Sequence, residues 1–169
     1  MGGNVPLGVR SVSSYDEDTA TMGVEAARIA LSPLINPTNP VAIWFSSSNP
    51  PYMDKTNANV IHAALQLDRT TAAYDFGGAE KSGIGALKTA LNSSETLLLV
   101  QSDIRSGLPS SDDEVYGGDA ASALLIGDED DGTLIARYLG GSSVSEEFIG
   151  RWRGPSEQNS RSWEERFVV

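Results

Sequence analysis

The stretch "AAYDFGGAEKSGIGAL", residues 72–87, holds an apolar run that ends in Gly77 and Gly78 and is followed by a segment with helical spacing from Ser82. A strand delivering the chain into a helix through glycines is a building unit of α/β proteins, and a frequent place for a nucleophile or a bound phosphate. Its neighbours repeat the alternation. Upstream, "VAIWFSS" (41–47) is a β-branched and aromatic run expected as a buried strand, and "KTNANVIHAALQL" (55–67) is expected as a helix. Asp18 or Thr19 is placed to cap a first helix that runs to Leu31, with Met22, Ala26, Ile29 and Ala30 on its apolar stripe.

Downstream of a helix over 82–91, "ETLLLVQS" (95–102) is a continuous apolar strand, and "DAASALLIG" (119–127) is another. "DEDDG" at 128–132 is expected as a hairpin turn into a last strand at 132–141, antiparallel to its predecessor. Such alternation of strands and helices implies an α/β fold with a mostly parallel, mixed sheet covered by helices. The expected domain runs over 1–141. Residues 142–169 carry Trp152, Trp163 and Phe167 among charges, and are expected to pack as a connector or tail on a partner or second half.

Composition excludes more chemistry than the motifs supply. There is no cysteine and one histidine, His62, so disulfides, zinc-thiolate sites, cysteine nucleophiles and multi-histidine metal sites are all ruled out on this chain. The formal net charge of −11 argues against nucleic acid or an anionic membrane as a partner. No apolar run reaches the ~20 residues of a membrane helix, and a cytoplasmic protein is expected. "GGAEKSG" lacks the Walker spacing of a phosphate loop. Ser46, Ser47 and Ser48 end a strand where α/β ligands bind, but the one histidine has no sequence relation to them that would make a serine hydrolase. His62 has the spacing of a partly buried helix residue, and Asp54 and Lys55 are accounted for as helix-start residues. Asp112, Asp113 and Glu114 have the character of solvated turn acids, without the spacing of an EF-hand loop.

Four segments carry a resemblance: "SYDEDTATMGVEAARIAL", "NPPYMDKTNANVIHAAL", "DFGGAEKSGIGALKTAL" and "VYGGDAASALLIG". From about Ser11 to Tyr138 the chain resembles the amino-terminal half of thiolase-fold enzymes, closest to hydroxymethylglutaryl-CoA synthase-like and ketoacyl-ACP synthase III-like proteins. The tail "RWRGPSEQNSRSWEERF" is similar to the connector of bacterial synthase-like proteins that associate with an OB-fold partner. The resemblance implies a coenzyme A thioester as substrate, no covalently bound cofactor, and a homodimer or hetero-oligomer with a complementary thiolase-like half. Relative to that family the chain lacks the first strand before "RSVSSYDED" and supplies one half only, either as a split subunit or as a fragment.

The departures from the family pattern fall on its chemistry. Glu80 stands at the position of the acylated cysteine, with Lys81 and Gly83 on flanking positions. The family's general-acid glutamate falls near Ser48, and its catalytic His and Asn belong to the other half. Thioester condensation by the family mechanism is therefore not available to this chain alone. Two function classes follow. The chain is either half of an enzyme that makes or breaks a carbon–carbon bond on an acyl thioester without an acyl-cysteine, or a non-catalytic acyl-CoA-binding or scaffolding subunit. For the first, Glu80 and Tyr52 are the catalytic candidates, and Gly78, Lys81, Ser82, Gly83, Ser48 and Gly118 the substrate-binding ones. Glu80 reads more readily as an acid that only favours the helix dipole. Arg105, Arg151, Arg153 and Arg166 either meet CoA phosphates or pair with nearby carboxylates.

Overall fold

The computed structural model describes residues 9–32, 39–79, 81–128, 134–147 and 150–163. Two compact units divide them, the larger being Ser13–Ile104 with Asp119–Tyr138. In it a sheet of order β2-β1-β3-β4 is built from β1 (Ala42–Ser47), β2 (Ala72–Gly77), β3 (Leu97–Asp103) and β4 (Ala120–Ile126). β1 pairs in parallel with both β2 and β3, whereas β4 runs antiparallel to β3.

The central strands are apolar on both faces because both faces are covered. Successive side chains point to opposite sides of a strand. Ile43 and Phe45 of β1, with Leu98 and Val100 of β3, pack with Ala20, Val24 and Ala27 of α1 (Thr19–Leu31) and with Ala58 and Ile61 of α2 (Ala58–Ala64). The alternate residues Ala42 and Leu97 pack with Ala90 of α3 (Ser82–Leu91), flanked by Trp44 and Ile126. Gly23 lets α1 close on this core: a Cβ there would lie 3.0 Å from Cγ1 of Val100 and 3.2 Å from Cδ1 of Ile61.

Local chemistry sets the helix ends. Asp18 caps α1 reciprocally: its Oδ1 accepts from the Thr21 amide at 2.8 Å, and Thr21 Oγ1 accepts from the Asp18 amide at 2.8 Å. The expected helix over 55–67 is shorter at both ends. Asp54 and Lys55 do not start it. Asn57 is its N-cap, and the Asp75 carboxylate on β2 accepts from the amides of Asn57 and Ala58, each at 2.7 Å. At the other end Gln66 takes a left-handed φ of 55°, which a continuing helix excludes.

Beyond α2, Asp68 Oδ1 accepts from Thr70 Oγ1 at 2.7 Å and from the Thr70 amide at 2.8 Å. The Thr70 hydroxyl, then its amide, and to a lesser degree the charge of His62 hold the Asp68 carboxyl below the usual carboxylate value. A depressed carboxyl stabilises the fold above its unfolded value, and that contribution is lost as pH falls through the folded one. Thr70→Ala is expected to move the Asp68 carboxyl midpoint upward in an NMR titration, and an unmoved midpoint would refute the assignment.

Two expectations are corrected. The strand expected at 132–141 is not present in the described part of that segment: residues 134–141 join no ladder, and Ile135 and Leu139 are exposed at 98% and 91%. Leu134–Ile135 and Tyr138–Leu139 come as adjacent apolar pairs rather than alternating, so no single face is apolar. The antiparallel pair of the sheet is β3–β4 instead. The expected turn at 128–132 lies outside the described residues after Asp128.

The smaller unit contains the described residues of 1–12, 105–118 and 139–169. The polar loop after β3 contains a one-turn helix, α4 (Asp112–Tyr116), where turn acids were expected. Its signal is the run Ser111-Asp112-Asp113-Glu114. Ser111 Oγ accepts from the Glu114 amide, and three acids occupy the first turn, where the helix dipole favours them. Arg10 donates to the carbonyl of Gly117 at 2.7 Å. Two short strands, β5 (Arg151–Trp152) and β6 (Arg161–Ser162), pair antiparallel, with the Trp152 and Trp163 rings 6.3 Å apart. Arg151 forms an ion pair with Asp113, as the carboxylate-pairing reading anticipates, and Arg166 lies outside the described residues.

Candidate active site

Because β1, β2 and β3 are parallel, their carboxyl ends lie on one edge of the sheet, the usual ligand edge of an α/β fold. Three chain segments meet there. β2 leaves through Gly77 and Gly78, and Gly78 has a φ of +105°, a conformation that disfavours any side chain. The return into α3 is tied by Ser82, whose hydroxyl donates to the Gly77 carbonyl at 2.9 Å and accepts from the Ala79 amide at 3.2 Å. Lys81 is the N-cap residue and makes no side-chain capping bond. Glu80, the candidate base, lies outside the described residues.

β1 leaves through the serines. Asp103, at the end of β3, gathers them: its Oδ1 accepts from the Ser48 amide at 2.7 Å, from Ser48 Oγ at 3.0 Å and from Ser47 Oγ at 3.1 Å. Ser47 Oγ in turn accepts from the Asn49 amide at 3.0 Å, while Thr19 donates to the Asn49 carbonyl at 3.1 Å. The β1 exit is thereby fixed from β3 on one side and α1 on the other. Ser47 and Ser48 are structural donors here, and His62 is engaged elsewhere, with Nε2 3.0 Å from the Asp68 carbonyl.

The third feature is packing against α3. Gly83 faces Gln101 and Ser46, which are register partners on β3 and β1. A Cβ at Gly83 would stand 2.5 Å from Nε2 of Gln101 and 3.7 Å from Oγ of Ser46.

A hollow of about 200 Å³ opens beside the corner, lined among others by Tyr52, Met53, Lys55, Gly77 and Gly78. Lys55 Nζ sits 4.6 Å from the centre of the Tyr52 ring, a cation–π distance. A shallower hollow of about 660 Å³ follows the flank of α3 past Trp44, Lys88 and Asn92, with Thr89 and Ser93 as its hydroxyls and no carboxylate in its lining. The buried Trp44 indole N–H has no hydrogen-bond partner among the described residues, and its ring packs tilted against Phe76 with centroids 4.9 Å apart.

Of the residues singled out from sequence, Gly78, Lys81, Ser82 and Gly83 form the corner, Ser48 closes the neighbouring strand exit, and Tyr52 lines the hollow together with Gly78. Gly118 belongs to the smaller unit, where a Cβ on it would lie 3.1 Å from Ser11 Oγ. Sequence reasoning passed over Asp75, Gln101 and Asp103. The polar ending of an otherwise apolar β3, "LLLVQSD", is the signal that marks Gln101 and Asp103. No group of three or more metal-ligating side chains occurs among the described residues. No helix there is long and apolar enough to cross a membrane.

No protein-family model matches the chain. The hydroxymethylglutaryl-CoA synthase of Pyrococcus horikoshii is 32% identical over 164 residues, covering 94% of this chain and 47% of the relative. The chain thus spans about half the length of the curated relatives it matches. Among solved structures, the HMG synthase of the curacin biosynthetic pathway in complex with acetyl donor-ACP aligns over 90% of this chain and 40% of its own, with a TM-score of 0.76 and 23% identity. MvaS in complex with 3-hydroxy-3-methylglutaryl coenzyme A aligns over 90% of this chain and 38% of its own, with a TM-score of 0.73 and 21% identity. These two likenesses establish the fold.

Proposed function

We propose that this chain, which has a thiolase-like fold and is similar over about half their length to hydroxymethylglutaryl-CoA synthases, supplies one half of an active site that makes or breaks a carbon–carbon bond on an acyl-CoA thioester. The observation that carries this reading is the glycine corner from Gly77 to Gly83, set at the carboxyl edge of three parallel strands beside a hollow. With no cysteine in the chain, no acyl-thiolate intermediate forms on it. The reaction class that remains is an aldol-type or retro-aldol step, in which a base moves one proton and fixed donors hold the enolate oxygen.

In this reading Glu80 and Tyr52 handle the proton, while Gly78, Lys81, Ser82, Gly83 and Ser48 contribute to the substrate-binding surface. A complementary thiolase-like half completes the site, in a homodimer or hetero-oligomer, with an OB-fold protein as a further partner. Residues 1–141 form the half domain and 142–169 the connector that docks on that assembly.

The test is turnover of 3-hydroxy-3-methylglutaryl-CoA and of acetyl-CoA by the complex purified from its own host, with intact-mass analysis of this chain after quenching. Turnover without an acyl adduct on this chain is expected, reduced about 10²- to 10⁴-fold in Glu80→Gln, the usual worth of a general base. An acyl adduct on this chain, or full activity in Glu80→Gln, contradicts the mechanism. Thioester binding with no turnover would assign the chain to the scaffolding class instead.

A further inference from the structure

At the carboxyl edge of β1 and β3 two polar side chains stand together with no hydrogen bond from either side chain among the described residues. They are the hydroxyl of Ser46 and the carboxamide of Gln101. Ser46 is 4% exposed, and its register partner across the parallel ladder is Gln101. Both belong to the face of the sheet covered by α3, and both reach its first turn at Gly83. The carboxamide occupies the space that a side chain at 83 would take, since a Cβ there would meet Nε2 at 2.5 Å.

Ser46 is buried and Gln101 half-buried, so donors here are screened from bulk water, where a hydrogen bond to a ligand counts for more than on an open surface. Their neighbours on the same strands show that acceptors were within reach of this edge: Ser47 and Ser48 are both gathered by Asp103. Ser46 and Gln101 therefore form a pair of free donors at the point where the glycine corner opens. An acyl group brought to that corner presents one strong acceptor, its carbonyl oxygen.

We infer that the Gln101 carboxamide, with the Ser46 hydroxyl beside it, is a donor pair for the carbonyl oxygen of the bound acyl thioester. The inference rests on the acyl-CoA reading above and names the part of the substrate that this edge recognises. Gly83 has a matching role, as the vacancy that lets the carboxamide lie against α3. In an enolate-forming step the same two donors meet an oxygen that gains negative charge, so they bind the transition state more tightly than the ground state.

The experiment measures the affinity of the natively purified complex for two probes, acetyl-CoA and its thioether analogue S-ethyl-CoA, which keeps the shape and lacks the carbonyl oxygen. Wild type is expected to prefer acetyl-CoA by about three- to tenfold, the worth of one neutral hydrogen bond. Gln101→Leu and the isosteric Gln101→Glu are both expected to abolish the preference while leaving S-ethyl-CoA affinity within about twofold for Gln101→Leu. The two variants guard against a folding artefact, and unchanged S-ethyl-CoA binding by Gln101→Leu shows that the site is intact. Equal wild-type affinity for the two probes would overturn the inference, because the carbonyl would then meet no donor. So would a preference that survives in both variants. Failure of wild type to bind either probe would overturn the acyl-CoA reading itself, and the inference with it.

Discussion

Phe45→Ala is expected to lower the unfolding free energy by about 3–5 kcal/mol, the range for emptying a buried aromatic site. Phe45 is 1% exposed on β1, the strand that pairs with both β2 and β3, and it lies in the cluster shared by α1, α2 and the sheet. Its ring edge also lies 3.6 Å from where a Cβ at Gly23 would be, so the cavity would sit beneath the tightest approach of α1. Against a typical total of about 5–15 kcal/mol, the loss leaves a measurable unfolded population. Urea denaturation should show a lower midpoint with an unchanged slope. A loss below about 1 kcal/mol would mean that Phe45 does not hold these layers together.

Asp103→Ala is expected to cost about 1.5–3 kcal/mol, in keeping with hydrogen bonds to a charged acceptor. One carboxylate oxygen receives the Ser48 amide, the Ser48 hydroxyl and the Ser47 hydroxyl, and Ser47 is only 3% exposed. Removing the acceptor strands these donors and frees the β1 exit next to the corner. Asp103→Asn keeps an acceptor oxygen and should recover more than half of the loss. Equal loss in both variants would show that the charge, rather than the acceptor geometry, fixes the exit. Acetyl-CoA affinity should fall along with stability in Asp103→Ala, because Ser46 and Ser48 flank the same turn.

The alternation of elements was legible because strongly periodic or continuously apolar segments leave little choice. "VAIWFSS" and "ETLLLVQS" became the two doubly covered strands, and Ser82–Leu91 became a helix with the expected bounds. What escaped the sequence was settled by partners distant along the chain. The start of α2 is fixed by Asp75, 17 residues downstream of Ala58, and no local pattern announces that carboxylate as a cap. The short α4 did announce itself, through Ser111 and Glu114, but five residues within a polar loop carry no periodicity to reinforce a cap.

The site was half legible for the same reason. Glycines at a strand-to-helix corner point to their own role, so Gly78 and Gly83 could be chosen from sequence alone. Gln101 acquires meaning only when β3 is laid beside β1, 55 residues away in sequence between Ser46 and Gln101, and when Gly83 is seen to make room for its carboxamide. Asp103 likewise looks like a loop acid until the serines of β1 are placed next to it.

The central claim is that this chain is one half of an acyl-thioester site completed by another subunit. Native mass spectrometry of the protein purified from its own host tests it most directly, with non-covalent ligands retained. The expected species contains this chain together with a complementary thiolase-like half, and a coenzyme A thioester released intact on activation. A species made of this chain alone, carrying no thioester even after incubation with acetyl-CoA, would contradict the claim.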